Sequence, residues 1–170
     1  MFQGRIATTY LKPTGLAMSV SRSITVRIVS PYENCVDILT EFTKNFWSYN
    51  DDRTITTLGV DDQDDYNFID LNISNALEAL TQRENKGWCN HINLWSKDYA
   101  ESFLVRITKL ENTYTGCKSH YELSFNLGIG KRLEKAERYT DYGHYLKLLI
   151  PHLLQMGCYV CEFSCNDYDS

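Results

Sequence analysis

Three stretches of alternating apolar and polar residues in the middle of the chain decide the fold: CNHINLW (89–95), SFLVRITKL (102–110) and HYELSFN (120–126). Alternation with a period of two places successive side chains on opposite faces of a β-strand. Only short turn-forming segments separate the stretches, around residues 97–98 and 112–116. Such close spacing predicts neighbouring antiparallel strands arranged as a meander.

The segments before this meander supply both strands and helices. Alternation over residues 23–29 predicts another strand. Ser30 and Pro31 are typical of a helix start, and apolar residues at helical spacing extend this helix to about Phe46. The remaining elements on this side are predicted strands over residues 54–60 and 66–71 and a predicted short helix over residues 74–80.

The segment after the meander is predicted to be mainly helical. The sequence predicts a helix from about Lys131, with an apolar stripe capped by Thr140 or Asp141 and kinked at Pro151. Gly157 is typical of a helix end, and residues 158–165 predict a last strand. No linker or repeat divides the chain, so we expect a single domain over residues 1–170. Its predicted class is α+β, a mainly antiparallel sheet with helices packed against it.

The charge balance limits the possible partners. The 170 residues include 22 acidic and 17 basic side chains, for a formal net charge of −5. A general nucleic-acid binder normally has the opposite balance, so we expect no nucleic-acid partner. No apolar run approaches the ~20 residues of a membrane span, and the N-terminus does not resemble an export signal. We therefore expect a cytoplasmic protein with reduced cysteines and no membrane contact.

An acidic segment is the most unusual feature of the composition. Seven aspartates lie between Asp51 and Asp70, with Arg53 as the one basic residue among them. The segment fits a solvated turn, a negative surface for a basic protein, or a calcium site, although the spacing of the twelve-residue calcium loop is absent. A negative surface would speed association with a basic partner. The candidate partner-binding aspartates are Asp51, Asp52, Asp61, Asp62, Asp64 and Asp65.

Aromatic residues next to this segment suggest an interface. Trp47 and Tyr49 lie just before the acidic segment, where we expect a loop. Tyr and Trp are enriched at protein interfaces, so both are candidate partner-binding residues. Trp95 occupies an alternating strand position, and we expect it in the core instead.

The cysteines near the C-terminus have a spacing that invites a metal-site interpretation. Cys158, Cys161 and Cys165 are separated by two and three residues. In a strand, however, Cys158 and Cys161 would point to opposite faces, and no second cysteine pair accompanies them. Buried free thiols are therefore favoured over zinc, and we expect no metal and no cofactor.

The glycine-rich segment 127–132, LGIGKR, is the strongest enzyme signal. The segment follows a predicted strand and precedes a predicted helix. Its backbone amides, together with Lys131 and Arg132, would therefore suit the binding of an anion. The segment resembles the pyrophosphate loop of the GCN5-type acetyltransferases, although Phe125 stands where that family has Arg or Gln. The resemblance implies an alternative function, a small acyltransferase-like enzyme that binds a phosphate-bearing cofactor at Gly128–Arg132. The alternative interpretation of these residues is a tight turn, in which the glycines relieve steric strain and Lys131 and Arg132 are solvated.

The familiar catalytic patterns GxSxG, HExxH and the Walker loop are absent from the sequence. We therefore expect no enzymatic activity. In character the chain resembles the immunity proteins of bacterial polymorphic-toxin and contact-dependent growth-inhibition systems: small, acidic, α+β, and rich in Tyr and Trp. The resemblance implies a protein that binds a cognate toxin domain, often a basic nuclease, and occludes its active site. These families diverge widely, so the resemblance assigns no functional residue by position.

Overall fold

An antiparallel sheet dominates the structure, a computed structural model that describes residues 22–45, 47–63, 67–128 and 130–167. Three helices accompany it: α1 (Cys35–Asn45), α2 (Ile73–Asn85) and α3 (Tyr142–Gln155). The strands are β1 (Arg22–Ser30), β2 (Trp47–Ser48), β3 (Thr54–Leu58), β4 (Phe68–Asn72), β5 (Asn90–Ser96), β6 (Ser102–Leu110), β7 (Ser119–Asn126), β8 (Arg132–Leu133), β9 (Ala136–Thr140) and β10 (Tyr159–Asp167).

The main sheet has eight strands in the order β10-β1-β7-β6-β5-β3-β4, with β2 paired to β5. Its strand pairs are antiparallel, while β8 and β9 form a separate hairpin. The α+β class with a mainly antiparallel sheet is thus confirmed. The predicted meander is also confirmed as β5, β6 and β7, because Val105 of β6 faces Ile92 on one side and Phe125 on the other.

The helices cover one face of the sheet. Along β6, residues Phe103, Val105 and Ile107 are each at most 2% exposed, whereas Arg106 between them is exposed. The same alternation recurs in β5 and β7, so a single face of the sheet is apolar. Side chains from all three helices join that face in one hydrophobic core. The opposite face is polar and only partly buried, and we call it the open face.

The first helix begins later than predicted. Ser30 remains in β1, fully buried and paired with Ser119, so the predicted start at Pro31 is wrong. The cap is Asn34 instead, whose side-chain oxygen accepts a hydrogen bond from the amide of Asp37 at 2.9 Å. Asn is as effective a cap as Ser, and strand pairing decides between the two positions.

The helix predicted from Lys131 is also wrong at its start. Residues 132–140 form the β8–β9 hairpin, whose turn places Lys135 in the left-handed region with a φ of 63°. Helix α3 begins only after Asp141, which accepts a hydrogen bond from the amide of His144 at 3.1 Å. The helix continues through Pro151, and Gly157 follows with a φ of 78°, as a left-handed helix end requires. None of the helices in the described ranges is long and apolar enough to cross a membrane.

Candidate functional site

A cleft of about 460 Å³ opens on the open face, where β5 meets the chain between β2 and β3. We call it the acidic cleft. It combines carboxylates, amides and two aromatic rings, and it is lined by Asn50, Asp51, Asp52, Thr56, Asn93, Trp95 and Tyr99. The structure thus brings the predicted residues Asp51 and Asp52 together with aromatic residues from a distant part of the chain.

Asn50 fixes the floor of the acidic cleft. Its side-chain oxygen accepts a hydrogen bond from the indole nitrogen of Trp95 at 2.9 Å. Its amide nitrogen donates to the hydroxyls of Thr54 at 2.9 Å and Thr56 at 3.0 Å. The ring of Trp95 is therefore held in one orientation before any partner arrives, which lowers the entropic cost of binding.

The two carboxylates of the cleft lie in the turn that leads into β3. Asp52 accepts hydrogen bonds from the hydroxyl of Thr54 at 2.6 Å and from its amide at 2.9 Å. These bonds lower the pKa of Asp52 below its usual value, so this carboxylate is ionised at neutral pH. Arg53 adopts a φ of 63°, and both Asp51 and Asp52 are exposed. The turn therefore presents negative charge to solvent.

Tyr99 forms the opposite wall from the β5–β6 turn. The turn closes through a hydrogen bond from the amide of Ser96 to the carbonyl of Glu101 at 2.8 Å. Tyr99 has a φ of 56° and is 44% exposed, and its ring centroid lies 6.3 Å from that of Trp95. Two partly exposed rings and two carboxylates thus share one cleft.

The prediction that Trp47 is an exposed loop residue is wrong. Trp47 pairs with Ser96 in β2 and is 6% exposed. Its ring stacks on Phe103 with a centroid distance of 4.5 Å, so burial in the core outweighs its place between two predicted elements. Tyr49 is half-buried and packs against the core, and burial raises the pKa of its hydroxyl. Trp47 offers a partner no exposed ring surface.

Trp95 is the aromatic residue that sequence reasoning misplaced. We expected it in the core, but Ile92 and Leu94 are fully buried and Trp95 is only partly buried on the open face. The signal was present in the alternation, because a residue next to Leu94 in a strand must point away from the core. The same alternation marks Asn93, which lies on the other side of Leu94 in the strand, whereas Asn50 had no such signal.

The second part of the acidic segment lies at the other end of β3. Asp61 has a side chain that is 99% exposed and lies 3.4 Å from the ammonium nitrogen of Lys86. Asp62 accepts a hydrogen bond from the amide of Asn67 at 2.6 Å. Asp64 and Asp65 lie outside the described residues. The candidate aspartates therefore divide between the acidic cleft and this turn, separated by the five residues of β3, or roughly 17 Å.

A buried arginine holds this turn against α2. Arg83 is fully buried, and its guanidinium donates to the carbonyls of Gly59 at 2.8 Å, Asp62 at 2.6 Å and Cys89 at 2.9 Å. The planar guanidinium suits several acceptors at once. The fold therefore fixes the backbone of this turn, from which the exposed carboxylate of Asp61 projects.

A second polar group with a buried side chain joins two helices to the sheet. The side chain of Glu84 is 7% exposed and accepts from the ammonium of Lys109 at 2.8 Å and from the amide of Cys35 at 2.8 Å. The hydroxyl of Tyr121 also donates to it. Burial opposes ionisation of Glu84, but the hydrogen bonds outweigh burial and lower its pKa. The group connects α1, α2, β6 and β7, and no sequence motif pointed to it.

The glycine-rich segment does not have the predicted surroundings. Gly128 and Gly130 have φ values of 56° and 62°, but a hairpin follows them rather than a helix. The amide of Lys131 donates to the hydroxyl of Tyr145, and the guanidinium of Arg132 lies 3.3 Å from the carbonyl of Arg138. The predicted loop-to-helix arrangement is therefore wrong, because a hairpin separates the glycines from α3. The N-terminus of α3 still packs beside this segment, since the carbonyl of Lys131 accepts a hydrogen bond from the amide of Asp141 at 2.7 Å.

The cysteines are distributed over several elements. Cys158 and Cys35 are buried, and burial raises the pKa of both thiols. Cys161 and Cys165 lie half-buried on β10. Among the described residues, no group of three or more His, Cys, Asp or Glu side chains is arranged to hold a metal ion.

Comparisons with family models, with curated proteins and with solved structures found no match to this chain.

Proposed function

We propose that the chain is an immunity-type protein that binds a cognate bacterial toxin domain through the acidic cleft and occludes the toxin's active site. One observation carries the proposal: Asp51 and Asp52 are exposed beside the partly exposed rings of Trp95 and Tyr99 in a cleft of about 460 Å³. The partner that suits such a cleft is a protein with a basic surface.

The chemistry of the acidic cleft matches a lysine or arginine side chain. A cation within about 6 Å of an aromatic ring gains roughly 0.5–2 kcal/mol, and a carboxylate supplies the opposite charge. Aromatic residues held in place before binding are the usual centres of binding energy in interfaces. The fixed indole of Trp95 meets this requirement, since Asn50 already holds it at 2.9 Å.

The second acidic turn supports the proposal in a different way. Asp61 lies far from the cleft along β3 and adds to a net charge of −5. Charges outside the contact area accelerate the encounter with an oppositely charged protein more than they strengthen the final complex. We therefore assign contact to the acidic cleft and long-range attraction to the Asp61–Asp62 turn.

The test uses the toxin domain encoded beside the gene for this chain, made inactive by a substitution of its own. The double variant Asp51→Asn with Asp52→Asn should weaken binding at least ~10-fold in calorimetry, and Trp95→Ala should do the same. The control is Glu33→Gln with Glu111→Gln, which removes the same charge at the far end of β6. Equal affinity of the cleft variants and the control would overturn the assignment of the cleft, and no binding by the unaltered chain would overturn the function.

A further inference from the structure

The strand β10 is an edge of the main sheet. It pairs with β1 from Tyr159 to Asp167, with a bulge at Cys161, and within the described residues it has no strand on its other side. Among the described residues, the other side of β10 therefore presents backbone amides and carbonyls along a free edge, apart from the carbonyl of Asn166, which accepts a hydrogen bond from the hydroxyl of Tyr142. Such an edge is a template for pairing with another strand.

An apolar groove runs beside this edge, between β10 and α3. The groove has a volume of about 440 Å³ and includes Ile150, Leu154, Tyr159, Val160 and Phe163. Leu154 is 54% exposed, Phe163 is 54% exposed and Tyr159 is 66% exposed. These are the most exposed large apolar side chains of α3 and β10, and all three line the groove beside the free edge. A partner that paired with β10 would cover them as well.

We propose that β10 and its groove bind a second copy of this chain, with the two β10 strands antiparallel about a two-fold axis at Phe163. The resulting sheet would run continuously through both copies. This interface is separate from the acidic cleft, because β5 and β3 lie toward the opposite edge of the sheet. The pairing therefore leaves the acidic cleft of each copy open.

The charges along β10 fit self-pairing. With Phe163 at the axis, Glu162 faces Ser164 of the second copy, and Asp167 lies near Tyr159 of the second copy, beyond the bulge at Cys161, so no like charges are directly opposite. Both carboxylates are already neutralised within their own chain. Arg27 lies 2.9 Å from Glu162, and Arg22 lies 3.1 Å from Asp167. A basic strand of another protein would find no unpaired negative charge at this edge. A second copy of β10 would meet no charge that repels it.

The other edge of the sheet does not allow the same pairing. β4 has five residues, and its central residue is the exposed Asp70. Antiparallel self-pairing about that centre would place two aspartates directly opposite each other, which is destabilising. The β10 edge can thus pair with a copy of itself, whereas the β4 edge repels its copy. Self-pairing therefore stops at a closed dimer and does not continue into a fibre.

Sedimentation velocity on the full chain tests the proposal over about 1–200 μM, a range that covers moderately weak dimers. We expect a monomer–dimer equilibrium that Phe163→Lys and, separately, Tyr159→Lys shift at least ~10-fold toward monomer. Both positions are more than half exposed, so folding should be kept, and circular dichroism checks this. Leu148→Lys is the matched control, because Leu148 is 45% exposed on α3 but lies outside the groove. A monomer throughout the range, or an equal shift in the control, would overturn the proposal.

Hydrogen exchange gives a second readout at the backbone. Amides on the free edge of β10 should exchange slowly at high concentration and fast on dilution, because only the dimer covers them. Amides of β7, in the middle of the sheet, should not depend on concentration. Protection of β10 that is the same at every concentration would mean that the chain covers its own edge, and would also overturn the proposal.

Discussion

Glu84 is a buried carboxylate stabilised by donors from three other elements. Lys109 supplies the opposite charge at 2.8 Å, while Cys35 and Tyr121 donate hydrogen bonds. The hydroxyl of Tyr121 in turn has its pKa raised, first by burial and then by its bond to Glu84. An ion pair of this kind contributes little if both partners are replaced, but removing one partner is costly.

The first prediction follows from this network. Glu84→Gln keeps the shape of the side chain and removes its charge, so Lys109 loses its ion pair and keeps only its hydrogen bond to the carbonyl of Glu33 at 3.0 Å. We expect the free energy of unfolding to fall by about 2 kcal/mol at pH 7, measured by urea denaturation. Glu33→Gln should change it by less than about 0.5 kcal/mol, because the Glu33 side chain is 72% exposed.

The stability lost in Glu84→Gln should depend on pH in a definite direction. The folded-state pKa of Glu84 is lowered from its usual 4.5, so its stabilisation is complete above about pH 4.5. The stabilisation disappears as the pH falls through the lower folded-state pKa. The difference between the natural chain and Glu84→Gln should therefore shrink in acid. A difference that stays constant down to the acid transition would contradict this account.

At the scale of elements, α2 does more than cover the sheet. Arg83, in its last turn, binds carbonyls of the turn after β3 and of the segment before β5. The helix therefore fixes the backbone from which Asp61 and Asp62 project. The sequence predicted a short helix over residues 74–80, which ends before Arg83, so it did not indicate that an arginine of this helix would organise a turn more than twenty residues away.

The second prediction concerns this arginine. Arg83→Lys keeps the charge but offers a single ammonium in place of a planar group that reaches several carbonyls. We expect the free energy of unfolding to fall by about 2–3 kcal/mol, together with faster hydrogen exchange around residues 59–63. Lys86→Ala is the control, because Lys86 contacts the same turn from a more exposed position. A larger loss in the control would show that Arg83 is not the main support of the turn.

The elements that the sequence predicted correctly are those with a strong local pattern. The alternation in β1, β5, β6 and β7 places every second residue in the core, and burial of that face determines the register. Helix starts were harder to predict. Ser30 and Asn34 are both suitable caps for α1, and only the pairing of Ser30 with Ser119 in the sheet determines that Asn34 is the cap. The β8–β9 hairpin was missed because residues 131–140 carry charges without alternation.

At the scale of the whole molecule, the acidic cleft depends on contacts between distant segments. The carboxylates come from the turn before β3, while Trp95 and Tyr99 come from the end of β5 and the turn after it. The sequence identified Asp51 and Asp52 through their charge, but it assigned the aromatic role to Trp47, which the sheet buries. No local pattern predicts that Asn50 and Trp95, 45 positions apart, are joined by a hydrogen bond.

The two proposed binding surfaces lie toward opposite edges of the sheet. The acidic cleft lies on the side of β5, β3 and β4, and the proposed self-pairing edge is β10 at the other side. A dimer through β10 would present two clefts, and under the proposed function each dimer would bind two toxin domains. Variants of one surface should leave the other unaffected, because sites that are distant and share no contacts act independently.

The most direct test of the central claim is to locate the toxin on this chain by carboxylate footprinting. Carbodiimide labelling of the free chain and of the complex, read out by mass spectrometry, measures the accessibility of each exposed carboxylate. Binding at the acidic cleft predicts that Asp51 and Asp52 lose most of their labelling in the complex, while Glu33 and Glu111 keep theirs. Unchanged labelling of Asp51 and Asp52 in a complex that does form would contradict the account.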